Sequence, residues 1–159
     1  MPYFEDNTIG RRRVLGSYTF TADDIKRFAA KFDPQPFHLD EEAGRRSLFG
    51  GLAASGWHVG AVYMKLQVAT SMREAEEAAA RGEPVVPGGP SPGFRDLRWI
   101  KPVLAGDTIT YESELTNMRP LASRPQWGLL EAATTGTNQR GELVFSFVAT
   151  VFSQRRPST

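Results

Sequence analysis

The sequence predicts a single α+β domain over residues 1–159, in which one long central helix is wrapped by a curved antiparallel sheet of about five strands. Segments with the alternation of strands lie at residues 12–20 and in the last third of the chain, from residue 94 onward. Between them, residues 57–68 are apolar on almost every side, which indicates a helix buried on most faces. A lone helix of that kind needs a strongly curved sheet to remove its apolar surface from water.

The composition excludes several classes of partner and site. Nineteen basic against 18 acidic side chains leave a net charge of +1, so no strong field recruits nucleic acid or an anionic membrane. Cysteine is absent and there are two histidines, which excludes thiolate chemistry and disfavours a metal site. The N-terminal residues lack the apolar segment of a signal peptide, and no run reaches the ~18 apolar residues of a membrane span. We therefore expect a cytoplasmic protein without a metal.

The N-terminal third predicts an arm, an edge strand and an amphipathic helix. Residues 1–10 show no periodicity, so we expect a loose arm on the surface, and residues 12–20 alternate as an edge strand does. Thr21 is a good N-cap, and apolar side chains follow at the spacing of one helix face: Ile25, Phe28, Ala29 and Phe32. Pro34 ends this helix, which places Asp33 at its terminus.

The middle of the chain predicts a short helix and then the central one. Residues 39–46 can form a turn of helix that begins with acidic side chains. A run of small residues over 50–56 leads into the apolar segment, which turns polar over residues 71–81 and ends at Gly82. Residues 84–92 are a loop by composition.

The last third predicts four antiparallel strands, over residues 94–100, 108–115, 127–135 and 143–152. The second of them alternates strictly, as expected for a strand with one face in water. The last is apolar on both faces, which predicts a position inside the sheet.

One constellation in this framework carries chemistry. Asp33 and His38 flank a segment stiffened by Pro34 and Pro36, and Gly56 follows at the expected start of the central helix. A carboxylate and an imidazole on one loop can act as a general acid and base. The Gly56 amide, at the positive end of a helix, can stabilise a developing oxyanion. Each residue also has a structural interpretation, since Asp33 can cap a turn and His38 can be a hydrogen-bonded core residue.

The stretch FTADDIKRFAAKFDPQPFHLD resembles the signature of MaoC-like dehydratases and (R)-specific enoyl-CoA hydratases, in which an aspartate and a histidine flank an Asn-Pro pair. Asp33, Pro36 and His38 fall on the family's positions. Residues 98–103 and 106–108 resemble its second recurring segment, a strand ending in Pro-Val and then a Gly-Asp turn. Two positions depart from the pattern: Gln35 stands for the asparagine, and Ser55 for a histidine often found before the helix-start glycine.

The resemblance implies the hot-dog fold and an enzyme that interconverts trans-2-enoyl-CoA and (R)-3-hydroxyacyl-CoA. Asp33 and His38 would share the acid and base roles, and Gly56 would hold the enolate oxygen. Gln35, Ser55 and Trp57 are expected to contact the substrate. Coenzyme A enters as part of the substrate, with no separate cofactor. Because such units usually pair through their sheets, we expect a homodimer or a higher homo-oligomer.

The choice of base and the reaction class stay open at this level. A free aspartate has a pKa of about 3.9, so Asp33 needs burial to raise its pKa before it can serve as a base. An acyl-CoA thioesterase is one alternative, although many hot-dog thioesterases take a carboxylate from the central helix and residues 56–72 contain no Asp or Glu. A non-catalytic acyl-thioester binding protein is another, kept open by Gln35 and Ser55.

Overall fold

The computed structural model describes residues 1–157 and confirms the α+β architecture. Four helices are present: α1 Ala22–Phe32, α2 Pro36–Leu39, α3 Glu41–Arg46 and α4 Gly56–Ala80. Five strands form one antiparallel sheet: β1 Arg12–Thr19, β2 Gly93–Trp99, β3 Thr108–Pro120, β4 Trp127–Asn138 and β5 Leu143–Gln154. The strand order is β1-β3-β4-β5-β2, so β1 lies at an edge and β5 inside the sheet, both as the sequence predicts.

Helix α1 begins and ends where the sequence predicts. The Thr21 hydroxyl accepts a hydrogen bond from the Asp24 amide (3.2 Å), and the Asp33 amide donates to the Ala29 carbonyl (2.9 Å) at the other end. Ile25 and Ala29 are fully buried, but Phe32, predicted on the same face, is 70% exposed. The last turn of α1 extends past the core, and this leaves Asp33 at the margin between core and solvent.

The segment after Asp33 is helical rather than a loop. Pro36 is the first residue of α2, a position that needs no backbone N–H donor. Asp40 then ends α2 and caps α3, where its carboxylate accepts from the Ala43 amide at 2.8 Å. His38 therefore lies in a short helix whose C-cap residue, Asp40, is also the N-cap of α3.

Helix α4 packs one face on the sheet and exposes the other. Val59, Val62 and Tyr63 are buried against aromatic and aliphatic side chains of the sheet, and the Tyr111 hydroxyl donates to the Val59 carbonyl at 3.0 Å. The opposite face exposes an apolar row: Trp57, Met64, Val68 and Met72. The prediction of burial on most faces is wrong for that row, because one sheet covers one side of a helix. No helix in residues 1–157 is long and apolar enough to cross a membrane.

The N-terminal segment differs from the loose arm that its lack of periodicity predicts. Phe4 is buried at the start of a short 3-10 helix, Phe4–Asp6. Glu5 forms an ion pair with Arg155 at 2.9 Å, beside the C-terminal end of β5. A single buried aromatic ring and a few polar contacts hold this segment, and neither leaves a periodic signal in the sequence.

His58 joins α1 to the first turn of α4. Its ring stacks on Phe28 with centroids 4.5 Å apart and planes at 5°, and the ring of Phe20 meets it edge-on at 5.0 Å. Within residues 1–157 its buried Nδ1 has no hydrogen-bond partner. Burial lowers the pKa of His58 below its ordinary value, with the Asp24 carboxylate acting against that shift and the Arg27 guanidinium adding to it. These contacts make His58 a packing residue between α1 and α4.

We expect His58→Phe to reduce the acid sensitivity of the fold. Because the pKa of His58 is lowered by folding, the unfolded chain takes up a proton first, so stability is full above pH ~6.5 and declines as the pH falls below it. Between pH 8 and pH 5 the melting temperature of the variant should fall less than that of the wild type. The difference should be about 2–4 °C for each kcal/mol of His58-linked destabilisation that the substitution removes. Parallel curves for the two proteins would contradict this origin of the acid sensitivity.

Candidate active site

Asp33 and His38 face each other in the folded chain. Oδ2 of Asp33 lies 3.4 Å from Nε2 of His38, and their side chains are 20% and 6% exposed. The Asp33 backbone is held on both sides, since its amide donates to Ala29 and its carbonyl accepts from the Gln35 amide at 2.7 Å. Sequence spacing predicted that the two side chains converge, and the structure brings them together.

The hydrogen bond of the other ring nitrogen determines the tautomer of His38. Nδ1 lies 2.6 Å from the Ala53 carbonyl oxygen, which can only accept, so Nδ1 carries the hydrogen. In the neutral ring Nε2 is then an acceptor that faces the Asp33 carboxylate. Two acceptors 3.4 Å apart can both be satisfied by one water molecule that donates a hydrogen to each. The pair is therefore arranged to bind and polarise water.

The Ala53 carbonyl is placed by an extended segment over residues 52–54. The Ala53 amide donates to the Phe37 carbonyl at 3.2 Å, which ties the segment to α2. On the other side the Ala54 amide donates to Val103 at 2.8 Å, and the Leu52 carbonyl accepts from the Ala105 amide at 2.9 Å. Backbone hydrogen bonds therefore hold this segment on both sides.

Ser55 and Gly56 form the start of α4 directly beyond that segment. Ser55 is buried at 1% exposure and caps the helix, with its hydroxyl accepting from the Trp57 amide at 3.3 Å. In the described part of the chain the Gly56 amide has no hydrogen-bond acceptor, as expected for the first turn of a helix. Its donor is therefore available at the positive end of a 25-residue helix.

A tryptophan that the sequence analysis did not single out lies against Gly56. A β-carbon on residue 56 would lie 2.3 Å from Cε2 of Trp99, so the indole packs directly on the glycine backbone. The structure shows that glycine is required there by Trp99. Trp99 lies within the second family-like segment, but no spacing rule relates it to residue 56.

The pKa of Asp33 is lowered, contrary to the expectation of an upward shift. Burial acts to raise it, but the Ser55 hydroxyl, the Gln35 amide and the nearby His38 ring together outweigh burial and hold the pKa below its ordinary value of 3.8. Nε2 of Gln35 donates to Oδ1 of Asp33 at 2.7 Å. Gln35 and Ser55 therefore stabilise the Asp33 carboxylate, and the substrate contacts that the sequence predicts for them stay predictions.

A cavity of about 1650 Å³ runs along the exposed face of α4 and reaches Gly56. Its wall includes apolar side chains of α4 and β2, namely Trp57, Met64, Val68, Phe94, Leu97 and Trp99. Trp57, predicted to contact the substrate, is 57% exposed and meets the Trp99 ring edge-on with centroids 5.2 Å apart. Asp33 and His38 are not in the wall.

No group of three or more His, Asp or Glu side chains that could hold a metal occurs within residues 1–157.

Comparison with known proteins identifies a family. A model described as MaoC like domain matches residues 5–134. The chain is 30% identical over 151 residues to the uncharacterized protein YdeM of Bacillus subtilis, covering 95% of this chain and 98% of that protein. Its fold matches the crystal structure of the MaoC-like dehydratase from Rhodospirillum rubrum with a TM-score of 0.82 and 39% identity, over 99% of this chain and 100% of that chain.

A further match is local. Mesaconyl-CoA hydratase of Cereibacter sphaeroides is 36% identical to this chain over 64 residues, which are 40% of this chain and 18% of that protein. The hot-dog fold implied by the sequence is confirmed by the match to the Rhodospirillum rubrum structure and by the strand order around α4.

We expect Ser55→Ala to raise the pKa of Asp33 towards its ordinary value and to destabilise the fold by about 1 kcal/mol, since the hydroxyl helps to lower that pKa and caps α4. Carboxyl-carbon NMR titration and thermal unfolding measure the two effects. Thr21→Ala is the matched control, because it removes the N-cap of α1 without a contact to Asp33. An unchanged Asp33 titration in the Ser55 variant would contradict the assigned contact.

Proposed function

The chain belongs to the MaoC-like dehydratase family, and from that premise we propose that it hydrates trans-2-enoyl-CoA to (R)-3-hydroxyacyl-CoA and catalyses the reverse dehydration. The observation that carries the proposal is the 3.4 Å approach of Asp33 and His38, with Nε2 of His38 free of a hydrogen in the neutral ring. The local similarity to mesaconyl-CoA hydratase supports a coenzyme A thioester as substrate. The (R) configuration rests on the family resemblance.

The proposed mechanism assigns the base to His38. Its Nε2 takes one proton from water while the water oxygen bonds to C3 of the enoyl group, and the same proton then passes from the imidazolium to C2. The water's second hydrogen stays on oxygen as the new hydroxyl and is held by Asp33. Because its pKa is lowered, Asp33 remains a carboxylate that orients the water and stabilises the imidazolium.

The negative charge that develops on the thioester oxygen also needs a partner. We assign this role to the Gly56 amide, whose donor has no acceptor in the described part of the chain and lies at the positive end of α4. A single donor of this kind contributes about 3 kcal/mol to catalysis. The assignment requires the thioester to reach Gly56 beside the Trp99 ring.

A thioesterase is less well supported than a hydratase. The first acidic side chain of α4 is Glu74, which forms an ion pair with Arg13 at 3.0 Å and lies more than four turns from Gly56. Addition of water transfers no electrons or groups to a carrier, so we propose no cofactor besides the coenzyme A of the substrate. The cytoplasmic location and the absence of a nucleic-acid partner stay predictions from the sequence.

We expect Asp33→Asn and His38→Gln each to lower the turnover of crotonyl-CoA by about 10²–10⁴-fold, because each removes a contact to the reacting water. Loss of enoyl absorbance at neutral pH measures the reaction. The matched controls are Asp23→Asn, an exposed acid in the first turn of α1, and His58→Phe, and both should keep wild-type rates. Wild-type turnover in the two site variants would refute the assignment, and release of free thiol instead of hydration would indicate a thioesterase.

We also propose that two copies pair through β2. The outer edge of β2 has no strand partner within residues 1–157, and unpaired edges favour pairing with another chain. Beside this edge lie exposed apolar side chains of β2 and α4, namely Phe94, Trp99, Met64 and Val68. A second copy added there would extend the sheet beyond the exposed face of α4 and remove apolar surface from water.

Light scattering during size exclusion should therefore give twice the 17.6 kDa mass of one chain. Met64→Glu should lower that mass, because it places a charge on the apolar row of α4. Val14→Glu on the opposite edge strand, where Val14 is equally accessible to solvent, should leave the mass unchanged. A wild-type mass of one chain, or dissociation by the Val14 variant alone, would contradict pairing through β2.

A further inference from the structure

A second cavity lies on the outer face of the sheet, opposite α4. Its volume of about 560 Å³ is within the ~300–1,000 Å³ of small-molecule sites. Leu129 and Glu131 of β4 are in its wall, whereas Leu130 and Ala132 line the cavity beside α4. Because neighbouring side chains of a strand point to opposite faces, the two cavities lie on opposite faces of the sheet. The second cavity therefore does not use the exposed face of α4.

Three arginines from separate segments meet in the wall of this outer cavity. Arg95 belongs to β2, Arg119 to β3, and Arg124 to the connection between β3 and β4. Arg95 donates to the Glu131 carboxylate at 3.1 Å, so the acidic side chain of the wall is neutralised by an ion pair. Within residues 1–157 every arginine pairs with a carboxylate except Arg98, Arg119 and Arg124. Two uncompensated positive charges, those of Arg119 and Arg124, thus border one concave surface.

The backbone that carries these two arginines is held by hydrogen bonds. The Arg124 amide donates to the Leu121 carbonyl at 3.3 Å, and the Arg124 carbonyl accepts from the Trp127 amide at 2.9 Å. Arg119 is paired with Leu129 in the ladder between β3 and β4. Both side chains therefore start from a fixed backbone, which lowers the entropy cost of ordering them on a ligand.

The surface between the arginines is apolar. Phe152 of β5 is the ladder partner of Leu129, which is buried although it belongs to the outer face. Leu121 and Pro92 complete this part of the wall. Cζ of Arg124 lies 5.9 Å from the centroid of the Phe152 ring, so a cation and an aromatic ring are presented together. A small inorganic anion would use the arginines alone, whereas a ligand with both a phosphate and a planar ring would cover both parts of the wall.

We propose that this outer cavity binds a nucleotide. The phosphate oxygens accept hydrogen bonds from the guanidinium groups of Arg119 and Arg124, whose planar forks match phosphate geometry, and the base packs on Phe152 and Leu129. The Ser123 hydroxyl is in the same wall and donates to a phosphate or ribose oxygen. A free nucleoside diphosphate and the nucleotide end of coenzyme A share this chemistry. Since neither member of the catalytic pair lines this cavity, the proposal does not rest on the hydratase function.

Calorimetric titration of the wild-type protein tests the class of ligand and its source. The probes are ADP, adenosine 3′,5′-bisphosphate as the nucleotide end of coenzyme A, and inorganic phosphate. At least one nucleotide should bind about tenfold more tightly than phosphate, because phosphate leaves the apolar surface in water. The tighter of the two nucleotides identifies the source. No saturable nucleotide binding up to about 5 mM, or phosphate binding as tight as that of both nucleotides, would overturn the proposal.

Arg119→Gln and Arg124→Gln test the location of the site. Each should weaken nucleotide binding by about tenfold, because each removes a charge-assisted hydrogen bond to phosphate. Both side chains are exposed and lack an ion pair, so the melting temperature should not change. Arg98→Gln is the matched control, since Arg98 also lacks an ion pair and lies on β2 outside the cavity wall. Unchanged affinity in both cavity variants, or equal weakening by Arg98→Gln, would overturn the proposal.

The binding experiment needs no turnover, so it separates this proposal from the hydratase function. Asp33→Asn and His38→Gln should bind the nucleotide as tightly as the wild type does. A loss of nucleotide affinity in these two variants, with none in the arginine variants, would place the ligand at Asp33 and His38 and contradict a site on the outer face.

Discussion

The site depends on the hydrogen bonds that hold the extended segment 52–54 between two neighbours. The segment is bonded to α2 through Phe37 on one side and to the strand connection through Val103 on the other. That connection is itself held by Asp107, a buried carboxylate that accepts from the Leu104 amide at 2.9 Å. The segment presents the Ala53 carbonyl to His38 and delivers the start of α4 next to Asp33. The Gly-Asp turn, distant in sequence, thus supports Asp33 and His38 through the backbone hydrogen bonds that join residues 103–105 to residues 52–54.

The pKa of Asp33 depends on the balance between burial, which raises it, and polar contacts, which lower it. Burial alone would raise the pKa of a carboxyl group at the edge of the core. The contacts from Ser55 and Gln35 and the nearby His38 ring have the opposite effect and prevail. Ser55 and Gln35 are also the two positions that depart from the family pattern, so both departures act on the same carboxylate. They favour the charged form of Asp33, whose Oδ2 lies 3.4 Å from Nε2 of His38.

The sheet determines which face of α4 stays exposed. A single antiparallel layer buries the inner face of α4 and leaves an apolar row on its outer face, beside the unpaired edge of β2. The same geometry creates the long cavity and places Trp99, at the end of β2, over the first residue of α4. The Trp99 ring points towards α4, whereas pairing of two copies would use the backbone edge of β2.

Local patterns in the sequence were sufficient for most helices and strands and for the approach of Asp33 to His38. Thr21, Pro34 and the apolar spacing of α1 determine where that helix begins and ends, and the spacing from Asp33 to His38 is short enough for local geometry to bring the side chains together.

The tertiary structure decided what depends on residues distant in sequence. It decided the tautomer of His38, set by a carbonyl 15 residues away, and the contact of Trp99 with Gly56. It also decided that Phe32 is exposed and Phe4 buried. The physical reason is that periodicity and capping act over a few residues, whereas burial and hydrogen-bond partners are set by segments that meet only when the sheet closes around α4.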